Sequence, residues 1–126
     1  MEKLNLNPKG IKTGDCVIRA IAYATQQSWD TVYKDLCEIG FKMKRMPEEK
    51  QVYEKYLDKL GWEKQKQPRT YFNDKYTVDE FCEKLANKDV YVITVANHMT
   101  VVANKEIVDT WDCGRKCVGN YWVKRS

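Results

Sequence analysis

The sequence predicts an α+β fold, on two observations and a boundary. Amphipathic helical spacing runs through the first two thirds of the chain, and β-branched and aromatic runs fill the last third. Between them, near residue 88, the period changes from helical to extended. Helices first and strands afterwards read as segregated layers, with a small antiparallel sheet closing the chain. At 126 residues, the prior is a single domain over residues 1–126 that can bury a core without metal or disulfide staples.

Residues 1–13 read as an irregular arm, broken by Pro8 and Gly10. A first helix opens near Asp15 or Cys16, and Val17, Ala20, Ile21 and Ala24 fall on one face of it. Ser28 is a good N-cap for SWDTVYKDLCEIG, with Asp30 favouring its start and Gly40 expected to stop it. Trp29, Val32, Tyr33, Leu36 and Ile39 form the apolar set of that helix. A third helix is expected from Pro47, in PEEKQVYEKYLDKLG, ending at Gly61. GWEKQKQPRTYF follows as strand or loop. Thr77 and Glu80 match a capping box and open a short fourth helix. VYVITVA, HMTVVA and EIVDTW are strands, the last two joined through Asn104 and Lys105 as a hairpin, and NYWVK can add another.

Composition is that of an ordinary soluble domain, 43% hydrophobic and 32% charged, and the net charge of +4 demands no acidic partner. No apolar run is long enough for a membrane span, and MEKLNLNPKG lacks the apolar segment of a secretory signal. Five scattered cysteines then read as reduced thiols in a cytoplasm. Cys113 and Cys117 lack the second ligand pair that zinc would want, so no metal and no cofactor are expected. The basic stretches KMKR and KQKQPR read as solvated surface. No nucleic-acid-binding module is recognisable around them.

The chemistry concentrates in two places. In TGDCVIRAIAYAT, Cys16 stands at the front edge of a helix, where free N–H groups favour a thiolate. The only histidine of the chain, His98, begins a strand in ANHMTVV. The following hairpin returns Asp109 towards it. Nucleophile, base and orienter therefore occur in the order Cys, His, Asp. Asp112 is the rival for the third place, and Asp109 is preferred because it ends its strand just before Trp111.

These residues resemble papain-like cysteine peptidases. GDCVIRAIA is similar to their nucleophile helix and HMTVV to their histidine strand. DTW, Asp109 to Trp111, is similar to their Asn/Asp-x-Trp segment, in which the amide or carboxylate orients the histidine and the tryptophan shields that contact. A compact bacterial or phage member, similar to the bacteriocin-processing peptidase domains, fits the chain length. The resemblance implies a papain-like fold and a hydrolase that cleaves or transfers a peptide, isopeptide or other amide acyl group through a Cys16 thioester. The partner it implies is a peptide or protein substrate, and an asparagine should be tolerated at position 109. Those enzymes usually carry a glutamine just before the cysteine as oxyanion donor, and GIKTGD has none; Asn5 or Asn7 is the substitute expected. The alternative is a catalytically silent papain-fold module that binds a protein near the same cleft.

Overall fold

A computed structural model describes residues 1–125. Along the chain lie β1 (Glu2–Lys3), α1 (Cys16–Thr25), α2 (Trp29–Met43), α3 (Lys50–Lys59), β2 (Trp62–Gln65), α4 (Val78–Lys84), β3 (Val90–Val95), β4 (His98–Ala103), β5 (Glu106–Asp109) and β6 (Tyr121–Lys124). The architecture is α+β, with four helices and one six-stranded sheet in the order β1-β5-β4-β3-β6-β2.

The sheet is mixed, not purely antiparallel as expected. β1 pairs parallel with β5, Glu2 beside Val108 and Lys3 beside Asp109, and the other pairings are antiparallel. Part of the supposed irregular arm is thus an edge strand. The segment after Gly61 supplies the opposite edge, so two strands precede α4 in the chain. Each of these two edge strands is completed by a partner far away in sequence, which local patterning does not encode.

Both faces of the sheet are covered. On one face Val17, Ala20 and Ile21 of α1, Val32 and Leu36 of α2, and Leu57 of α3 pack with Met99, Val101, Val108 and Trp122. On the other, Val78 and Phe81 of α4 pack with Tyr91, Ile93, Val102 and Ile107. Alternation along β4 sends Met99, Val101 and Ala103 to the α1 face and Val102 to the α4 face. No helix among the described residues is long and apolar enough to cross a membrane.

Local signals set the starts of α2 and α4. Ser28 Oγ accepts from the Thr31 N–H at 3.1 Å, and Thr77 and Glu80 form the reciprocal capping box. Asn104 and Lys105 both take left-handed backbone, with φ of 52° and 65°, as a two-residue hairpin of the primed type requires.

Two expected boundaries move. Pro47 lies in a turn, and α3 starts three residues later at Lys50 with Glu49 as N-cap. Gly40 does not stop α2, which runs to Met43 and ends on a left-handed Lys44. A Cβ at Gly40 would stand 2.6 Å from the Arg45 carbonyl oxygen, so the glycine lets the outgoing chain fold back against the helix. Gly40→Ala is expected to destabilise the protein. Alanine normally gains about 1 kcal/mol inside a helix, but overpacking against backbone costs about 1–3 kcal/mol. A urea melt reads the balance, and a raised midpoint would show that the backbone gives way freely.

The basic KQKQPR stretch begins in β2 at Lys64 and runs into the loop before α4. At its tip Tyr71 and Phe72 are almost fully exposed and meet edge to face.

Candidate functional site

The site is assembled where the start of α1 meets β4 and β5. Asp15 occupies the N-cap position of α1, yet its carboxylate caps no helix N–H. It accepts instead from Arg19 Nε at 2.8 Å, Trp29 Nε1 at 3.0 Å and Asn7 Nδ2 at 3.2 Å. The first turn of α1 is thus left without a side-chain cap, and Cys16 is its first residue. Unsatisfied N–H groups there favour an anion.

His98 opens β4 directly after Asn97, whose left-handed backbone turns the chain between β3 and β4. Asp109 ends β5. Because Val101 faces Val108, Asp109 comes beside Thr100. His98 and Thr100 are two residues apart in one strand, so they project to the same side and meet a single carboxylate oxygen. Asp109 Oδ2 lies 2.6 Å from His98 Nε2 and accepts from Thr100 Oγ1 at 2.6 Å. Its Oδ1 accepts from the Thr110 N–H at 2.7 Å and from Arg19 Nη1 at 3.3 Å. All four contacts use the carboxylate as an acceptor, and the group is buried.

With Nε2 committed to Asp109, Nδ1 is the ring atom left for Cys16. The electrostatics agree with a thiol–imidazole contact. Burial pushes the Cys16 thiol up, but the His98 imidazole, the Met99 backbone and the Arg19 charge outweigh it and hold the thiol below its ordinary value. Burial pulls the His98 imidazolium down. Hydrogen bonding to Asp109, Cys113 and Cys16, with the Asp109 charge, overcomes that and raises it to about 11. Burial likewise raises Asp109, while His98, Thr100 and the Thr110 backbone bring it below the usual carboxylate range. In the neutral range these directions favour a thiolate, an imidazolium and a carboxylate in one row.

The Trp111 ring lies over His98 with centroids 4.7 Å apart and planes at 49°, so it covers the imidazole while staying 40% exposed. Asp112, the rival orienter, is turned away and accepts from the Gly114 N–H. The two asparagines considered as oxyanion donors are engaged elsewhere. Asn7 is buried and gives its amide to Asp15, and Asn5 Nδ2 rests on the Ile11 carbonyl at 3.4 Å. Asn5 does line the hollow beside Cys16.

Two open hollows adjoin Cys16 and His98. Ile11, Trp111 and Lys116 line one, and Val17, Tyr53 and Val95 line the other.

All five cysteines are free, and the C-terminal pair divides. Cys117 is exposed. Cys113 is buried, with its sulfur 4.0 Å from Asp109 Oδ2. One ligand atom from each of His98, Asp109 and Cys113 falls within 4.8 Å of the others. A tetrahedral zinc site needs a further ligand besides these three residues.

Three contributors escaped sequence reasoning, namely Arg19, Asp15 as a carboxylate and Thr100, whereas Cys113 was expected near the site because it directly follows the hairpin. Arg19 was the most visible of them, as a charge set among the apolar residues of VIRAIA. No family model, curated protein or solved structure matches the chain.

Proposed function

We propose that the protein is a papain-like cysteine hydrolase acting on a peptide, isopeptide or other amide of a peptide or protein substrate. The observation that carries this reading is the His98–Asp109 contact of 2.6 Å behind the thiol of a cysteine that begins a helix. In this mechanism the Cys16 thiolate attacks the substrate carbonyl carbon, and the carbonyl electrons move onto oxygen. The Cys16 N–H and the open first turn of α1 supply donors to that oxyanion. As the tetrahedral species collapses, the C–N bond breaks, and the imidazolium of His98 gives its proton to the leaving amine. The acyl group remains as a Cys16 thioester. Water then attacks, His98 takes its proton, and the C–S bond breaks to release the acid and the thiolate. Asp109 holds the ring and never needs to accept the proton. The free cysteines suit a reducing compartment such as a cytoplasm.

Limited iodoacetamide labelling, mapped by mass spectrometry, tests the reading. Cys16 should react first near neutral pH, ahead of Cys117, although Cys117 is the more exposed thiol. Labelling that starts at Cys117 and leaves Cys16 untouched would sink the proposal. A silent binding module is the second reading, favoured by the turn of the Asn7 amide towards Asp15. Fast Cys16 labelling without any acyl-enzyme from activated acyl probes would select it.

A further inference from the structure

We infer that Arg19 is a positioning residue that ties the start of the Cys16 helix to the carboxylate behind His98. The inference deepens the hydrolase reading and rests on it for its meaning. Its geometry stands alone.

Arg19 lies one turn along α1 from Cys16, and its side chain is only 13% exposed. It is held between two acids that are themselves almost fully buried, Asp15 from its own helix start and Asp109 from the end of β5. Nε donates to Asp15 Oδ1 at 2.8 Å. Nη1 donates to Asp109 Oδ1 at 3.3 Å and to Thr110 Oγ1 at 3.2 Å. The bonds to the two acids leave different edges of one rigid plane. A guanidinium spans two carboxylates in this way, whereas an ammonium is a single point charge on a flexible stem.

Three consequences follow from that span. First, Asp109 Oδ1 is held by Arg19 and the Thr110 N–H, so Oδ2 is the oxygen offered to His98 and Thr100. The imidazole orientation is therefore set from behind through the Asp109 carboxylate. Second, the Asp15 carboxylate is drawn to Arg19, Asn7 and Trp29 and does not cap α1. The N–H groups of the first turn stay open beside Cys16. Third, Arg19 offsets two buried negative charges close to a thiol meant to ionise. Without it, Asp15 and Asp109 would oppose the thiolate through a low-dielectric interior. The other charged or titratable groups lining the hollows beside Cys16 are His98 from β4, Lys12 and Lys116 in one hollow, and Glu48, Lys50 and Tyr53 in the other.

Two Arg19 variants, two readouts and a melting control test this. Arg19→Met removes charge and span, and Arg19→Lys keeps the charge but loses the span. The first readout is the rate of Cys16 alkylation against pH, taken well below each variant's melting temperature. The second is the proton resonance of the His98 ring N–H that faces Asp109, followed by NMR, which reports the contact without any use of the thiol. In Arg19→Met the acid limb of the alkylation profile should move up by about one pH unit, a tenfold slower rate at any pH on that limb. Arg19→Lys should fall between the variant and the wild type, and the ring proton should move or broaden in both. If Arg19→Met does not fold, Arg19→Lys carries the test by itself. Lowered melting with an unchanged pH profile and an unchanged ring proton would overturn the inference and leave Arg19 a structural ion pair. A wild-type profile in Arg19→Lys would also overturn it, because charge without span would then suffice. Failure of the hydrolase reading looks different: the wild type itself lacks fast Cys16 labelling, while the ring proton still reports whether Arg19 orients Asp109.

Discussion

Replacing His98 with alanine is expected to slow alkylation of Cys16 at pH 6.5 by at least about tenfold. An ordinary thiol, with a pKa of about 8.5, is only about 1% ionised at that pH. In the native protein the thiol is held below its ordinary value, with His98 among the causes, and the imidazolium is raised to about 11. The signs are consistent: a lowered thiol pKa means the thiolate persists as pH falls from 8.5, until it is protonated at its own lower value. The raised imidazole pKa means the ring keeps its proton through the neutral range. The wild-type rate should therefore begin to fall at a lower pH than that of an ordinary thiol. Without the imidazole, the rate should fall about tenfold per pH unit below about 8.5. The more basic thiolate of the variant is a better nucleophile and recovers part of the loss, which is why the expectation is tenfold and not a hundredfold. Melting curves taken alongside separate this from unfolding. A His98→Ala profile that overlays the wild type would mean that the helix start and Arg19 activate the thiol without a base.

Features fixed by neighbours in sequence were legible in advance. The capping box at Thr77 and Glu80, the Ser28 cap and the Asn104–Lys105 hairpin each need only a few adjacent residues to form, and each is present. The start of α1 at Cys16 was legible from the apolar spacing that follows it, although no side chain caps it. What stayed hidden depends on distant partners. A two-residue β1 has no period to detect, and its parallel pairing with β5 joins positions more than a hundred residues apart, Glu2 beside Val108. β6 is the last strand in sequence yet lies between β3 and β2. Gly40 carries the ordinary signature of a helix stop, but the return of the chain at Arg45 puts it to another use.

The site divides along the same line. Cys16, His98, Asp109 and Trp111 stand out because each is rare or sits at an element boundary. Arg19 looked like one more polar residue on a helix, because its meaning comes from an acid 90 residues away. Cys113 and Cys117 look alike in the sequence, and only the fold buries one of them against Asp109 and leaves the other exposed.

The substitution Asp109→Asn separates the site seen here from the tolerance that the papain-like resemblance implies. An asparagine can replace a carboxylate quietly when one oxygen suffices. Here both oxygens accept, Oδ2 from the His98 side and Thr100, Oδ1 from Thr110 N–H and Arg19. An amide has only one acceptor oxygen. With its NH₂ towards Arg19 and Thr110, donors would face donors in a buried place. With its NH₂ towards His98, Nε2 would have to accept, and the imidazolium could not form. Either arrangement works against the thiolate, so Asp109→Asn should impair Cys16 alkylation at neutral pH nearly as much as Asp109→Ala. Both should destabilise the fold. Breaking a buried ion pair by removing one partner costs about 3–5 kcal/mol, which in a domain of this size lowers the melting temperature on the order of 10 °C. The acid limb gives an independent sign. Asp109 is ionised in the fold at a pKa below its unfolded value, so its stabilisation is present above about pH 4 and is lost as pH falls through the lower folded value. Wild-type melting should therefore drop steeply below pH 4, and Asp109→Asn should flatten that limb. Asp112→Ala should leave both the alkylation rate and the acid limb unchanged. Full reactivity in Asp109→Asn, with an acid limb as steep as the wild type, would mean that His98 draws no orientation and no charge from Asp109.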